Sequence, residues 1–368
     1  MALPNSGPIS LNDIQTEFGG SNPISISEYY GVASGVPASG TISFDDFYGT
    51  SSGLPPVSLG YFIGGYLGST APPTTRGSNK IHRIQYSNDT ISLIPATLSE
   101  GRSNSAAVQN TTYGYICGGI RFQQPSNVYF NRIDRFQFSN ETSSNPPVNL
   151  PSSRGGQLGL SSSSKGFICG GYIQPTPSPS SGTYFSNIVE LNLSNGTVSN
   201  PSTTLSGTRG LGAQISDVNN GYLLMGILAT PTSAEVDKMN FSNQTISTIA
   251  NTAITGSPFY NASFSNRSGG KGYVFGGFKS GSYPGLPFYS QAVERLQYSN
   301  DTFTLIPAAT PVIQRSAVGN FSDNAGYIAG SFISPTNAVQ KFAFSNETFA
   351  SPVGAYPIYS TDMCSNQI

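Results

Sequence analysis

The chain has no tryptophan, one histidine (His82) and three cysteines among 368 residues, and each scarcity excludes something. One imidazole and three dispersed thiols assemble no metal set of structural spacing, so neither metal nor cofactor is expected. Cys117 and Cys169 fall at the same place in two copies of a repeat, inside Ile-Cys-Gly-Gly strand ends, and read as small buried thiols. Charge is scarce as well: 17 basic against 18 acidic residues, net −1. That balance offers no electrostatic footprint for a phosphate backbone, so nucleic acid is not expected as a partner. No run approaches the roughly 18 apolar residues of a membrane span, and residues 1–10 lack the basic and apolar regions of a secretory signal. Membrane insertion is not expected, and synthesis in a cytoplasm is.

What the chain does have is glycine (42) and proline (26) in excess, with polar stretches alternating regularly with short apolar runs. That pattern predicts many short strands joined by turns, an all-β fold. Six times a strand-like run ending in Tyr, Phe or Leu is followed by Ser-Asn-x-Thr, beginning at Ser87, Ser139, Ser194, Ser242, Ser299 and Ser345; subtraction gives spacings of 52, 55, 48, 57 and 46 residues. Repeats of that length mean copies of one supersecondary unit.

Each copy has four apolar pieces. The second ends in paired glycines in most copies, as at Gly64-Gly65, Gly118-Gly119, Gly170-Gly171 and Gly276-Gly277. This suits a strand end that approaches another backbone where no Cβ fits. The third piece (81–86, 133–138, 293–298, 339–344) alternates and leads into Ser-Asn-x-Thr, a turn in which Asn is expected to take the left-handed conformation. The fourth carries Pro95, Pro147, Pro201, Pro307 or Pro352 and is expected to be an exposed outer edge. The first (102–109, 154–160, 209–215, 259–264, 315–321) is rich in Gly, Ser and Ala, suiting an innermost strand. The opening copy, from residue 57, has no such piece, while residues 359–368 are left without a blade. The expected solution is a six-bladed β-propeller over 57–368, closed by a C-terminal inner strand. The glycine doublets, the arginine opening the inner strand and the repeat length resemble kelch propellers, although the tryptophan usual in kelch repeats is missing. The resemblance implies architecture alone.

Residues 1–50 form a different small module, with 51–56 as linker. Ser10/Asp13, Ser25/Glu28 and Ser43/Asp46 have capping-box spacing, each expected to open a short helix that a glycine stops. With so few apolar groups the module is expected to dock on something else. The run from Ile9 through Asp13 to Gly31, with Glu28-Tyr29-Tyr30, followed by Ile42-Ser43 and Asp46-Phe47-Tyr48-Gly49, resembles a module at the front of virion structural proteins of tailed bacteriophages, notably those of marine cyanobacteria. The resemblance implies a tail, fibre or surface-appendage component. Virion attachment is expected to run through these ten capping and aromatic residues, with other virion proteins as partners.

Several sets of residues are candidates for a site. Arg102, Arg154, Arg209 and Arg315, opening the inner strands, either line the channel mouth as an anion site or bond carbonyls between blades. A second basic set, Arg83, Arg135, Lys238, Arg295 and Lys341, shares one third-strand position and is expected to form strand-face pairs. The loops between second and third strands vary in length and hold adjacent aromatics, Tyr129-Phe130, Tyr184-Phe185 and Phe288-Tyr289; these either bind a partner such as a host-surface glycan or pack at the loop base. Ser-Asn-x-Thr also matches a glycosylation acceptor, but the turn reading suits it better. Strand direction puts these loops on one face and the Ser-Asn-x-Thr turns on the other, with the N-terminal module expected to enter from the turn face. No catalytic constellation is legible, and an enzyme is not expected. The expectation is a phage virion protein displaying a propeller toward a host surface; the alternative is a purely architectural one contacting neighbouring subunits.

Overall fold

The computed structural model describes residues 3–18, 22–33, 35–37, 39–50, 58–67, 76–123, 126–174, 182–224, 226, 235–250, 258–259, 261–266, 269–279, 291–309, 317–330, 338–350, 352–355 and 363–367. The linker 51–56, the pair Phe288-Tyr289 and Arg315 lie outside them. The chain divides into two compact units, Met1–Pro56 and Val57–Ile368. Among the described residues no helix is long and apolar enough to cross a membrane.

The second unit is a six-bladed β-propeller of small antiparallel sheets. From inner to outer strand, blade 2 is Ala106–Gln109, Tyr113–Cys117, Ile133–Gln137 and Thr142–Ser144; blade 3 is Leu158–Ser161, Lys165–Cys169, Ile188–Asn192 and Val198–Ser199. Blade 4 is Ala213–Ser216, Asn220–Leu224, Glu235–Asn240 and Ile246–Ala250; blade 5 is Ala262–Asn266, Lys271–Phe275, Ala292–Gln297 and Thr302–Ala309. Blade 6 is Val318–Phe321, Ala325–Ala329, Ala338–Ala343 and Thr348–Phe349. Blade 1 takes Leu59–Ile63, Lys80–Gln85 and Thr90–Thr97 from the start of the unit and its inner strand, Cys364–Gln367, from the end. The register runs from Gly60 opposite Gln367 to Ile63 opposite Cys364, and the six inner strands contact one another around the axis.

Both faces of each sheet are covered, because the apolar residues form six clusters, one in each seam between neighbouring blades. The glycine doublets build the seams at the loop face. The Gly119 N–H donates to the Arg154 carbonyl of the next blade, and a Cβ on Gly118 would stand 2.8 Å from that same oxygen. Gly65 and Gly171 donate likewise to the Arg102 and Arg209 carbonyls. Inner strands leave edges toward their neighbours, and serine hydroxyls fill them: Ser161 accepts from the Gln109 N–H at 2.9 Å, and Ser365 donates to the Gly319 carbonyl at 2.7 Å.

Two prolines fall inside outer strands, Pro95 and Pro307, and both sit where the register slips, between the Lys80 and His82 pairings and between those of Ala292 and Val293. A bulge is where a missing N–H does least harm to a ladder. Pro147, Pro201 and Pro352 follow the ends of shorter outer strands.

The Ser-Asn-x-Thr turns differ from expectation in one respect. The left-handed residue is x, not Asn: Asp89, Glu141, Gly196, Gln244, Asp301 and Glu347 all have positive φ. Asparagine instead holds the turn with its side chain, as Asn88 Oδ1 accepts from the Thr90 N–H (3.1 Å) and hydroxyl (2.7 Å). Placed so, x reaches back to the preceding blade. Asp301 accepts from Lys238 Nζ (2.7 Å) and the Tyr222 hydroxyl (2.9 Å); Asp89 does the same with Lys341 (2.8 Å) and Tyr327 (2.7 Å). Glu141 takes Arg83 and Tyr61, and Glu347 takes Arg295, Lys271 and Tyr273. The second basic set is thus corrected from strand-face pairing to ties across seams, except Arg135, which bonds Ser144 and lies over the Tyr113 ring. The aromatic before Ser-Asn stacks on the same second-strand ring of the preceding blade, as Tyr298 on Tyr222 and Phe344 on Tyr273.

The first unit has a helix, Leu11–Phe18, and two 3-10 turns, Ile26–Tyr29 and Phe44–Phe47. It carries a core of its own, Leu3, Ile14, Tyr29, Val36 and Phe47, with Phe18 edging onto Tyr29 and Phe47. Aromatic rings bury enough area to make a core from few residues.

Candidate functional site

The arginines that open the inner strands do not present charge at the channel mouth. Arg102, Arg154 and Arg209 are at most 1% exposed. Each turns its guanidinium into its own blade: Arg102 donates to the Ile116 carbonyl (3.1 Å) and pairs with Asp134. Arg209 donates to the Leu223 carbonyl (3.0 Å) and pairs with Asp237 at 2.9 Å. In blade 3 the residue matching these aspartates is Val189, and Arg154 bonds Gly170 O (3.0 Å), Asn187 Oδ1 (2.9 Å) and Ser152 Oγ (2.8 Å) instead. Burial pulls Arg154 down to about 10, which leaves it charged at neutral pH. The anion-site alternative is therefore corrected for these three; the bonds to carbonyls lie within blades rather than between them.

The aromatic pairs divide by position. Phe130 and Phe185 lie at the loop base: the Arg154 guanidinium carbon is 4.3 Å from the Phe185 ring centre, and Arg121 is 5.5 Å from that of Phe130. They shield buried or half-buried cations. Tyr129 and Tyr184 stand further out, on the short arms Val128–Tyr129 and Thr183–Tyr184 that pair with Ile120–Arg121 and Tyr172–Ile173. Both are half-buried. They pack with Ile120, Tyr172, Leu211 and Phe122 into one cluster spanning blades 2 to 4, in which Tyr129 and Tyr184 flank Tyr172 at 6.1 and 5.9 Å. Tyr66 of blade 1 meets Phe122 edge-on at 5.4 Å.

Ile120, Tyr172 and Tyr66 were not singled out by the sequence reading, yet a signal existed. Each follows directly on a glycine doublet, so the doublet that bends the strand end also aims the next side chain along the loop face.

Also missed were the residues at the loop-face end of the channel. That space is lined from all six blades, by Asn104, Gln157, Leu211, Asn261, Ala317 and Met363 among others, and among the described residues no charged side chain lines it.

In the first unit the attachment candidates serve the local fold. The Ser10 N–H donates to Asp13 Oδ2 at 2.8 Å, Ser25 N–H to Glu28 Oε1 at 3.2 Å and Ser43 N–H to Asp46 Oδ2 at 2.7 Å, so the expected capping boxes form. The Ser10 hydroxyl and N–H hold Asp13 below the ordinary carboxylate range. Gly31 and Gly49 follow the two 3-10 turns in the left-handed conformation. Tyr29 and Phe47 are buried, and the Tyr30 and Tyr48 hydroxyls donate to the Gly40 and Gly7 carbonyls. Asp13 and Glu28 are exposed.

Cys117, Cys169 and Cys364 are free and buried, and burial pushes their thiols up, that of Cys364 to about 12. Among the described residues no three of His, Cys, Asp and Glu gather. No family model matches the chain, and no curated protein matches it.

Proposed function

We propose that this is a structural protein of a bacteriophage virion, a tail, fibre or surface-appendage component, attached through its N-terminal unit and displaying the propeller's loop face to a host-surface glycan. The observation that carries the recognition half is the cluster in which half-buried Tyr129 and Tyr184 flank the buried Tyr172, set on a rigid scaffold where loops otherwise vary. Tyrosine offers large contact area with few rotors to freeze. Attachment is supported by the resemblance of residues 1–49 to the front module of tailed-phage proteins. A binding role is supported by how the carboxylates are used: Asp89, Glu141, Asp301 and Glu347 tie blades together, and Asp134 and Asp237 hold arginines.

The test has two arms. Immunolabelling of purified particles locates the protein, and fluorescently tagged full-length chain is measured for adsorption to host cells. Tyr129→Ser with Tyr184→Ser is expected to weaken adsorption roughly tenfold or more, about 1.4 kcal/mol. Labelled particles without adsorption would leave an architectural role; unlabelled particles would remove the virion reading altogether.

A further inference from the structure

The loop-face end of the channel has chemistry that the scaffold does not use. Asn104, Gln157 and Asn261 are only 8, 5 and 8% exposed. The Asn104 amide nitrogen, both polar atoms of Gln157 and the Asn261 amide oxygen nevertheless have no hydrogen-bond partner among the described residues. An orphaned buried polar group costs on the order of 1–3 kcal/mol, so four atoms around one space call for a physical reason. The Asn261 orientation is set by its nitrogen, which donates to the Gly276 carbonyl at 3.0 Å and leaves the oxygen over. The three side chains come from blades 2, 3 and 5 and line one space of about 90 Å³ at the channel end.

Leu211 forms one wall of the same space and also belongs to the cluster with Ile120 and Tyr172. Its φ is +60°, whereas the matching positions hold Asn104 (+53°) and Gly156 (+67°), residues at ease in that region. A branched side chain held there costs of order 1–3 kcal/mol, and such strain gathers at binding sites. The leucine joins the polar channel end to the aromatic cluster.

We propose that this channel end is a subsite for a neutral sugar residue, whose hydroxyls pair with Asn104, Gln157 and Asn261 and whose C–H face rests on Leu211. The proposal rests on the reading of the loop face as a glycan-recognition surface. Vicinal hydroxyls both donate and accept, as the set requires: Asn104 supplies a donor, Asn261 an acceptor and Gln157 one of each. A carboxylated sugar is disfavoured, because it would lose water without meeting a cation among the described lining residues.

Saturation-transfer NMR and calorimetry on the full chain test this with methyl glucoside, galactoside, mannoside and N-acetylglucosaminide as probes, and methyl glucuronide as the charged comparison. At least one neutral glycoside binds, with the glucuronide roughly tenfold weaker or worse. The double variant Asn104→Gly with Gln157→Ser uses the residues the chain itself places at those positions in other blades, Gly156 and Ser105. It keeps the wild-type melting midpoint and loses roughly tenfold or more in affinity. Wild-type affinity in that variant overturns the subsite, and so does a failure of every neutral probe to bind. If host-cell adsorption survives either result, only the subsite falls; if adsorption is absent too, the glycan reading falls with it.

Discussion

His82 sits where the other five blades place Asp134, Val189, Asp237, Glu294 and Gln340, each directly after the first buried aliphatic residue of its third strand, and all six are buried. Blade 1 takes its inner strand from the C-terminus, where residues 359–368 hold no arginine to open it as Arg102 and Arg209 open theirs. Burial, with Lys80 adding a smaller push, lowers the imidazole to about 4. The folded value lies below the unfolded one, near 6.5, so the neutral ring's contribution is full above pH 6.5. It drains as the unfolded chain takes up a proton, and is gone once pH has fallen through about 4; its size is roughly 3 kcal/mol. Val189 shows what the fold accepts at this place without a titrating group. His82→Val should therefore flatten the fall in urea midpoint between pH 6.5 and 4.5, and equal slopes for the two proteins would show that the ring titrates normally.

At the scale of the element, the turn and the strand it touches make one device. Glu347 carries the densest version, since Lys271, Arg295 and Tyr273 all converge on it. Burial works against its charge, but the hydrogen bonds from those three outweigh it and hold the carboxyl below its ordinary 4.5. A lowered carboxylate stabilises above the unfolded value and stops doing so as pH falls through the folded one. Glu347→Gln should cost about 1–2 kcal/mol in thermal or urea unfolding at pH 7, and that cost should shrink as pH falls through the folded carboxyl's lowered range. A cost that did not shrink with falling pH would point to packing.

The exceptions fit the same rule. Blade 3 carries Glu190 where four other blades put a cation bonded to the next turn, and the turn facing it carries Gln244, which donates to Glu190 at 2.7 Å. Phe167 replaces the tyrosine there, where no acid needs its hydroxyl. The turn of blade 3 holds Gly196, and Arg135 facing it rests on an aromatic ring instead. Turns, glycine doublets and proline edges were legible in the sequence because each is a local backbone requirement written in consecutive residues. The partnership between x and a cation 52 to 76 residues away, or 252 for Asp89 and Lys341 across the ring closure, was not, because it depends on which neighbour each turn leans toward. The orphaned amides were hidden for a similar reason: Asn104, Gln157 and Asn261 look like ordinary loop residues until the blades bring them around one axis.

On the scale of the molecule, closure of the ring was readable as an imbalance, one blade short of an inner strand and one terminal segment short of a sheet. The pairing of Leu59–Ile63 with Cys364–Gln367 resolves both. Met363 and Cys364 also enter the apolar clusters on the two sides of blade 1. Removal of this strand would thus strip a sheet edge and thin two seams at once, in a fold whose every other blade depends on having two neighbours. A chain ending at Asp362 should lose its single cooperative melting transition and form concentration-dependent oligomers, since the bared edge of Leu59–Ile63 pairs with other chains. Light scattering after size exclusion and thermal melts measure both effects. A synthetic peptide of residues 359–368, added in excess, should restore the monomer and its melting transition, because it supplies the missing ladder without a covalent link. A truncated chain that stayed monomeric with the wild-type midpoint would mean that the other four seams hold the ring unaided, and that the C-terminal strand decorates a structure already closed.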